Sequence, residues 1–366
     1  MPAEDSRAPR FDPGAAAPEG SGIYGLPHDR ESARVIVVPV PWAATTSYGG
    51  GAERGPEAVL AASKQVDLFD VETGRPYEAG IHMLPIPADV VSWNSEARAA
   101  AEKIIGVGGR VHGDAALERA LARVNELSAA VNDHTYEAVR AELARGKFVA
   151  LLGGDHAAPF GGIRAVAEAH PGVGILHVDA HADLRDAYEG FTFSHASIMH
   201  NVMARIRGIA TLVQVGIRDL SEEEHAAIEG SHGRIRAHFD AELARRAFEG
   251  ETWRAQVDRI VGDLPPQVYV SFDIDGLDPT LCPHTGTPVP GGLSFHQATS
   301  LFGGVVRSGR TIVGVDLNEV VPGDEGDEWD GNVGARILNK LIGWMLVSQN
   351  TGARAANAVM LGASPR

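Results

Sequence analysis

The sequence predicts an α/β fold: a three-layer α-β-α sandwich with a central, mostly parallel sheet. Three observations predict it. Short apolar runs, such as those at 35–38 and 173–178, alternate with segments of helical spacing along the whole chain. These runs are apolar at nearly every position rather than every second one, the pattern of strands covered on both faces. Acidic and imidazole side chains fall just after several of the runs, where ligands bind in open α/β sheets.

The elements follow in order. Residues 1–30 open on Pro, Ala and charge and are expected to form a flexible N-terminal arm, with a single domain over 31–366. Arg34-Val-Ile-Val-Val-Pro-Val-Pro41 reads as the first strand. A Gly-rich loop over 47–56 leads into a helix over 56–62, with Pro56 at its start, where a missing N–H costs nothing. Trp42 and Tyr48, beside those glycines, read equally well as pocket walls or as packing. Ala-, Glu- and Arg-rich spacing between 94 and 146 gives covering helices over 115–131 and 136–144. A second strand at 147–152 ends in Gly153-Gly-Asp-His156, and a helix over 159–170 follows. The third strand, at 173–178, releases Asp179, His181 and Asp183. A fourth at 212–216 is followed by Arg218, Asp219 and the acidic helix start Ser221-Glu-Glu-Glu224, then by helical segments over 241–261. A fifth at 267–272 ends in Asp273-Ile-Asp275. A sixth at 311–317 ends near Glu319, and a long amphipathic helix covers 332–347.

Composition narrows the partners. The chain has 366 residues, 44% of them hydrophobic, which is ample for a large core. A net charge of −16 argues against nucleic acid or an anionic membrane surface and suits a small cationic substrate. Cys282 is the one cysteine, so no internal disulfide forms, and it is expected as a small packed residue. The first 19 residues lack an apolar signal core, and no run approaches about 18 apolar residues. A cytoplasmic protein is expected.

The chemistry concentrates at three strand ends: His156; Asp179, His181 and Asp183; Asp273 and Asp275. On an extended chain residues two apart share a face, about 6.6 Å between neighbours. A buried ionised Asp is costly unless paired or metal-bound, so this set demands a cation. Four carboxylates balance two divalent ions, which suggests a binuclear site with bridging carboxylates around one oxygen nucleophile. Oxygen-rich ligation with some imidazole favours Mn(II), with Ni(II) or Fe(II) as alternatives.

These pieces together resemble the ureohydrolases: arginase, agmatinase, guanidinobutyrase, guanidine hydrolase and formimidoylglutamase. Gly153-Gly-Asp-His156 resembles the family's first signature, with Ala157 where Ser is usual. Asp179-Ala-His-Ala-Asp183 resembles the second. Ser271-Phe-Asp-Ile-Asp-Gly-Leu-Asp-Pro279, with Thr285-Gly-Thr-Pro-Val-Pro-Gly-Gly292 behind it, resembles the third. The likeness runs from about Val35 to the C-terminus and implies an arginase-like sandwich. It implies that His156, Asp179, Asp183 and Asp273 hold one metal, and that His181, Asp179, Asp273 and Asp275 hold the other. Asp155 and Asp278 are expected in supporting or turn roles.

The resemblance further implies that hydroxide between the metals attacks a guanidinium carbon and releases urea with an amine or ammonia. Asp183 then takes the role of base, and His195, in Phe193-Ser-His-Ala-Ser197, that of proton shuttle. Glu319, in Asp316-Leu-Asn-Glu-Val320, anchors the cationic substrate, and Thr287 hydrogen-bonds it. The loop Arg185-Asp-Ala-Tyr-Glu-Gly-Phe-Thr-Phe193 lacks the Ser/Thr/Asn-rich character of arginases. Tyr188, Phe191 and Phe193 are expected to narrow the pocket, which favours guanidine, then agmatine. Arg185 facing a carboxylate keeps guanidinobutyrate and formiminoglutamate open; a salt bridge to Asp186 or Glu189 is its other reading. The agmatinase-like branch that includes guanidine hydrolases fits best. Two other classes are a mononuclear zinc deacetylase-like enzyme and an inactive binding homologue. Family members are commonly trimers or hexamers, so a homo-oligomer is expected.

Overall fold

The computed structural model describes residues 11–360, and their side chains as far as Gln349. Alternation within each strand decides the architecture. In β1 (Val35–Val40), Val35 and Val37 join one apolar cluster, while Ile36, Val38 and Val40 join another on the opposite face. The chain continues through α1 (Gly55–Ser63), β2 (Ile81–Met83), α2 (Ala88–Ile105), α3 (Ala115–Ala144), β3 (Phe148–Gly153) and α4 (Phe160–Ala169). Next come β4 (Val173–Val178), α5 (Ile198–Arg205), β5 (Ile209–Ile217), α6 (Glu222–Gly230), β6 (Ile235–Phe239) and α7 (Asp240–Phe248). It closes with α8 (Trp253–Gly262), β7 (Gln267–Asp273), α9 (Phe295–Arg307), β8 (Thr311–Asn318) and α10 (Trp329–Met360).

Among the described residues all eight strands lie parallel in one sheet, ordered β2-β1-β3-β8-β7-β4-β5-β6. One face is covered by α2, α3, α4 and α5 through Val90, Val131, Ile163 and Val202. The other is covered by α1, α8, α9 and α10 through Val59, Ile260, Phe302 and Leu338. The expected sandwich is therefore present, with every strand pair parallel.

Two strands went unread in the sequence, and both are edges. β2 has only three residues, and β6, Ile-Arg-Ala-His-Phe, is half-exposed and mixes polar with apolar positions. Neither carries the two-faced apolar run that marks the central strands. The helices expected over 115–131 and 136–144 are one element, α3. Its polar middle, Asn132 to Thr135, is absorbed because Thr135 Oγ1 donates to the Val131 carbonyl at 2.9 Å. Asp114 caps its start, accepting from the N–H groups of Ala116 and Leu117. A flexible arm is expected over 1–30. Residues 1–10 lie outside the described residues, but Ile23, Tyr24 and Leu26 are buried, and the Tyr24 hydroxyl donates to the Ala335 carbonyl at 3.0 Å. Apolar burial holds that stretch against α1 and α10. Among the described residues no helix is long and apolar enough to cross a membrane.

Strand order sets where ligands can gather. β3, β8, β7 and β4 are consecutive in the middle of the sheet, so their carboxyl ends open on one place. Gly154 lets the chain leaving β3 pass against the chain leaving β1. A Cβ there would overlap the Trp42 carbonyl, which instead accepts the Asp155 N–H at 2.7 Å.

Candidate metal centre

His156 follows directly from that close approach. Its Nδ1 lies 2.9 Å from Asp179 Oδ2, 3.1 Å from Asp273 Oδ2 and 3.5 Å from Asp183 Oδ2. Its Nε2 lies 3.0 Å from Ser271 Oγ, whose hydroxyl donates onward to Asp316 Oδ1 at 2.9 Å. The hydroxyl hydrogen is thus engaged, so Ser271 accepts from Nε2–H, which leaves Nδ1 as the nitrogen that can face an ion. Asn318 and the Phe272 N–H also donate to Asp316 Oδ1 and hold the far end of this chain.

Asp179 Oδ1 accepts the His181 N–H at 2.6 Å, and Asp273 Oδ1 accepts that of Asp275 at 2.8 Å. His181 Nδ1 lies 3.1 Å from Asp275 Oδ2 and 3.5 Å from Asp179 Oδ1. Two donor sets result: His156, His177, Asp179 and Asp183; and Asp179, His181 and Asp275. Within each, one ligand atom per residue lies within 4.8 Å of the others. The alternation of Asp179, His181 and Asp183 delivers all three, but not on one straight strand. β4 ends at Val178, and Asp183 takes a left-handed backbone, φ 54°, that turns it towards His156 while His181 faces Asp275. Glu319 also has a positive φ, 61°. Non-glycine residues rarely adopt this region, and such strain gathers at functional sites.

The electrostatics suit a site for positive charge. Burial and the neighbouring carboxylates push Asp183 and Asp273 well above the ordinary carboxylate range. Burial opposes charge on His181, yet Asp275 and Asp179 raise it to about 12. Buried carboxylates crowded around two imidazoles raise one another in this way and favour a cation among them. Hard oxygen donors with imidazole nitrogen fit divalent metal, so the residues present suit the group.

Glu319 is buried beside this cluster, and its Oε1 accepts the His156 backbone N–H at 2.8 Å. Burial, then the charge of Asp155, raises its carboxyl to about 8. Thr287 Oγ1 donates to Asp275 Oδ2 at 3.4 Å. Burial, then the nearby imidazoles of His181 and His156, lowers His195 to about 4. Its backbone N–H donates to Thr45 Oγ1 at 3.4 Å. Asp155 accepts from Thr45 and from the Ala157 N–H, while Asp278 closes a turn onto Thr280. Cys282 is buried, its thiol 3.2 Å from the Ile274 carbonyl.

A cavity of about 170 Å³ opens on this cluster, with Glu319, His195, Thr287, Arg185, Tyr188 and Asp219 in its wall. The expected pairing of Arg185 with Asp186 or Glu189 does not form. Arg185 Nε instead lies 3.7 Å from Glu224 Oε2 with its guanidinium over the Tyr188 ring, and Asp186 lies 3.0 Å from His200. Nor do three aromatics narrow the cavity. Phe191 is buried among Ala101, Ile104 and Val124, and Phe193 packs on Phe160; Tyr188 alone of the three lines the wall. Phe191 fills the gap beneath α2 and α3 and Phe193 packs at the start of α4, so neither reaches the cavity. Tyr48 is exposed and Trp42 is buried in the core.

Several residues here had no motif to announce them. His177 and Gln214 are buried polar positions within apolar strand runs, and that mismatch is the signal that could have found them. Asp219 and Glu224 sit in an ordinary acidic helix start.

The chain matches the arginase family over residues 33–343. It is similar to an N(1)-aminopropylagmatine ureohydrolase of Thermus thermophilus, 37% identical over 80% of this chain and 84% of that protein. A protein of the same description from Synechocystis is 31% identical over 87% and 90% of the two chains. Among solved structures, the agmatine ureohydrolase of Thermoplasma volcanium superposes with a TM-score of 0.68 at 21% identity, over 90% of this chain and 96% of that one. At that identity the likeness speaks for the fold.

Proposed function

The chain belongs to the arginase family of metal-dependent hydrolases acting on guanidino C–N bonds, and from that premise we propose that it cleaves an aminoalkyl-guanidine of the agmatine class. The products are urea and an amine. We further read the centre as binuclear, with His156, Asp179, Asp183 and Asp273 for one divalent ion and His181, Asp179, Asp273 and Asp275 for the other. Mn(II) is the first choice for an oxygen-rich set and Ni(II) the second. When bound, such a pair supplies Lewis acidity and brings the pKa of a shared water near neutrality.

The chain's own residues do the rest. Glu319 receives the cationic guanidinium, and Thr287 offers hydroxyl lone pairs to its N–H groups. Asp183 takes the proton that the attacking water gives up. His195, neutral at working pH, carries a proton to the leaving nitrogen.

One observation carries the substrate class: Arg185 is engaged by Glu224, while the Asp219 side chain, on the same cavity wall, has no hydrogen-bond or ion-pair partner among the described residues. The free charge offered to a substrate's tail is therefore negative, which suits a distal ammonium and disfavours guanidinobutyrate or formiminoglutamate. Relatives named for N(1)-aminopropylagmatine and agmatine support the same class. Free guanidine is the second reading, favoured by Tyr188, whose ring stands edge-on to His195 at 6.0 Å and closes part of the cavity. A homo-oligomer of three or six such chains, working in the cytoplasm, completes the proposal.

The test is a urea-release screen of agmatine, N(1)-aminopropylagmatine, guanidine, 4-guanidinobutyrate, arginine and formiminoglutamate, with Mn(II) and Ni(II) supplied separately. An aminoalkyl-guanidine should turn over fastest. Turnover of carboxylate-bearing substrates alone would reverse the reading of Arg185 and Asp219, and one metal per chain by elemental analysis would overturn the binuclear reading.

A further inference from the structure

His177 is fully buried in β4, two residues before Asp179, and each of its ring nitrogens has a polar neighbour. Nε2 lies 2.8 Å from Asp179 Oδ2. Nδ1 lies 3.0 Å from the side-chain nitrogen of Gln214, the residue opposite it in the β4–β5 ladder. That same Gln214 nitrogen is 2.7 Å from the Ala182 carbonyl oxygen. A carbonyl only accepts, so the atom facing it is the amide NH2, whose second hydrogen points at Nδ1. Nδ1 is therefore the unprotonated nitrogen, and Nε2 carries the hydrogen.

By distance alone His177 groups with His156, Asp179 and Asp183 as a further metal donor. A ring nitrogen that holds a hydrogen has no lone pair for an ion. We infer that His177 is no ligand but a positioning residue: locked as the Nε2–H tautomer by Gln214, it donates to Asp179 Oδ2 and fixes the carboxylate common to both donor sets. The opposite oxygen of Asp179 takes the His181 N–H, so two donors pin the carboxylate's rotation from two sides. Outer partners of this kind orient ligands at a metal, and losing one typically costs 10–100-fold in affinity. The inference rests on the two-ion reading above, because its effect reaches both ions only if both share Asp179.

Three variants of the full chain separate the donor from mere volume. His177→Met fills the space without a hydrogen to donate. His177→Gln returns an N–H close to the place of Nε2. Gln214→Met leaves the ring but frees its tautomer. Metal-stripped protein is titrated with Mn(II) by calorimetry and followed by electron paramagnetic resonance, which distinguishes isolated ions from a spin-coupled pair. Wild type should take two ions per chain and show the coupled spectrum. H177M should bind about 10–100-fold more weakly and lose that spectrum, H177Q should recover most of both, and Q214M should fall between. Equal affinity and spectrum in H177M and wild type would overturn the inference, as would equal loss in H177M and H177Q. If H177M does not fold, a wild-type titration curve for Q214M overturns it. A wild type that takes one ion and never shows the coupled spectrum overturns the two-ion reading instead, a result distinct from the others.

Discussion

Glu319 Oε1 accepts the backbone N–H of His156 at 2.8 Å, so the end of β8 holds the main chain at the end of β3. One carboxylate thus supports the main chain of the proposed ligand His156 and stands in the wall of the candidate cavity. Glu319→Gln keeps an oxygen for that N–H while removing the charge. Metal content should stay unchanged while kcat/KM for a cationic substrate falls by about 30-fold to several thousand-fold, from the roughly 2–5 kcal/mol lost when one member of a buried charge pair is removed. Glu319→Ala removes both functions and should lower metal content too. Urea release with elemental analysis tells them apart; equal metal loss in the two variants would refute this division of labour.

His195 has no hydrogen bond to the carboxylate cluster; its ring nitrogen neighbours Ser194 Oγ at 3.4 Å. His195→Asn should therefore reduce kcat by about 10²–10⁴-fold with metal content intact. Burial, then the imidazoles of His181 and His156, holds this histidine at about 4. It stays neutral well below its ordinary value, so an acid limb of the rate profile near about pH 6.5 is not expected from it. A limb there that disappears in the variant would contradict the assignment.

Chelation should destabilise as well as inactivate. Asp183 and Asp273 are buried carboxylates forced together with Asp179, a burden that divalent cations relieve. Calorimetric melting should show Tm falling on chelation and returning on Mn(II) addition, with about 2.7 kcal/mol gained when the free ion stands at 100 times its Kd. A Tm indifferent to chelator would count against a metal site among these residues.

Gly154→Ala places a methyl into the Trp42 carbonyl, backbone that cannot step aside. About 3 kcal/mol of lost stability, with misplacement of His156, is the expected outcome in a denaturant titration. Gly262→Ala, at the end of α8 with open space around it, is the matched control and should be neutral or stabilising by up to about 1 kcal/mol. Similar losses in both would show that the close approach at Gly154 is not what matters.

Asp219→Asn tests the tail contact. Because Asp219 is exposed, the pair it offers an ammonium is worth about 0.2–1 kcal/mol, up to about a fivefold rise in KM. The rise should appear with agmatine and be absent with guanidine, which has no tail. An equal effect on both substrates would remove Asp219 from the recognition of the tail.

The central strands were legible because burial on both faces leaves a short run of apolar residues. β2 and β6 were not, because an edge strand answers to solvent on one side and needs no such run. Among the site residues, His156, Asp179, His181, Asp183, Asp273 and Asp275 announced themselves as costly side chains directly after apolar strands. His177 and Gln214 had no such spacing. Their meaning lies in a cross-strand pairing between β4 and β5 and in the Ala182 carbonyl, none of which is local in sequence.

By itself the sequence determined the layered fold, the donor types and their order along the chain, because burial periodicity and the cost of a buried charge act locally. Only the tertiary structure decided which donors meet. The order β3-β8-β7-β4 brings positions 156, 319, 273–275 and 179–183 to one end of the sheet. It also turned Phe191 and Phe193 away from the cavity, since packing beneath distant helices outweighs nearness to His195 in the chain.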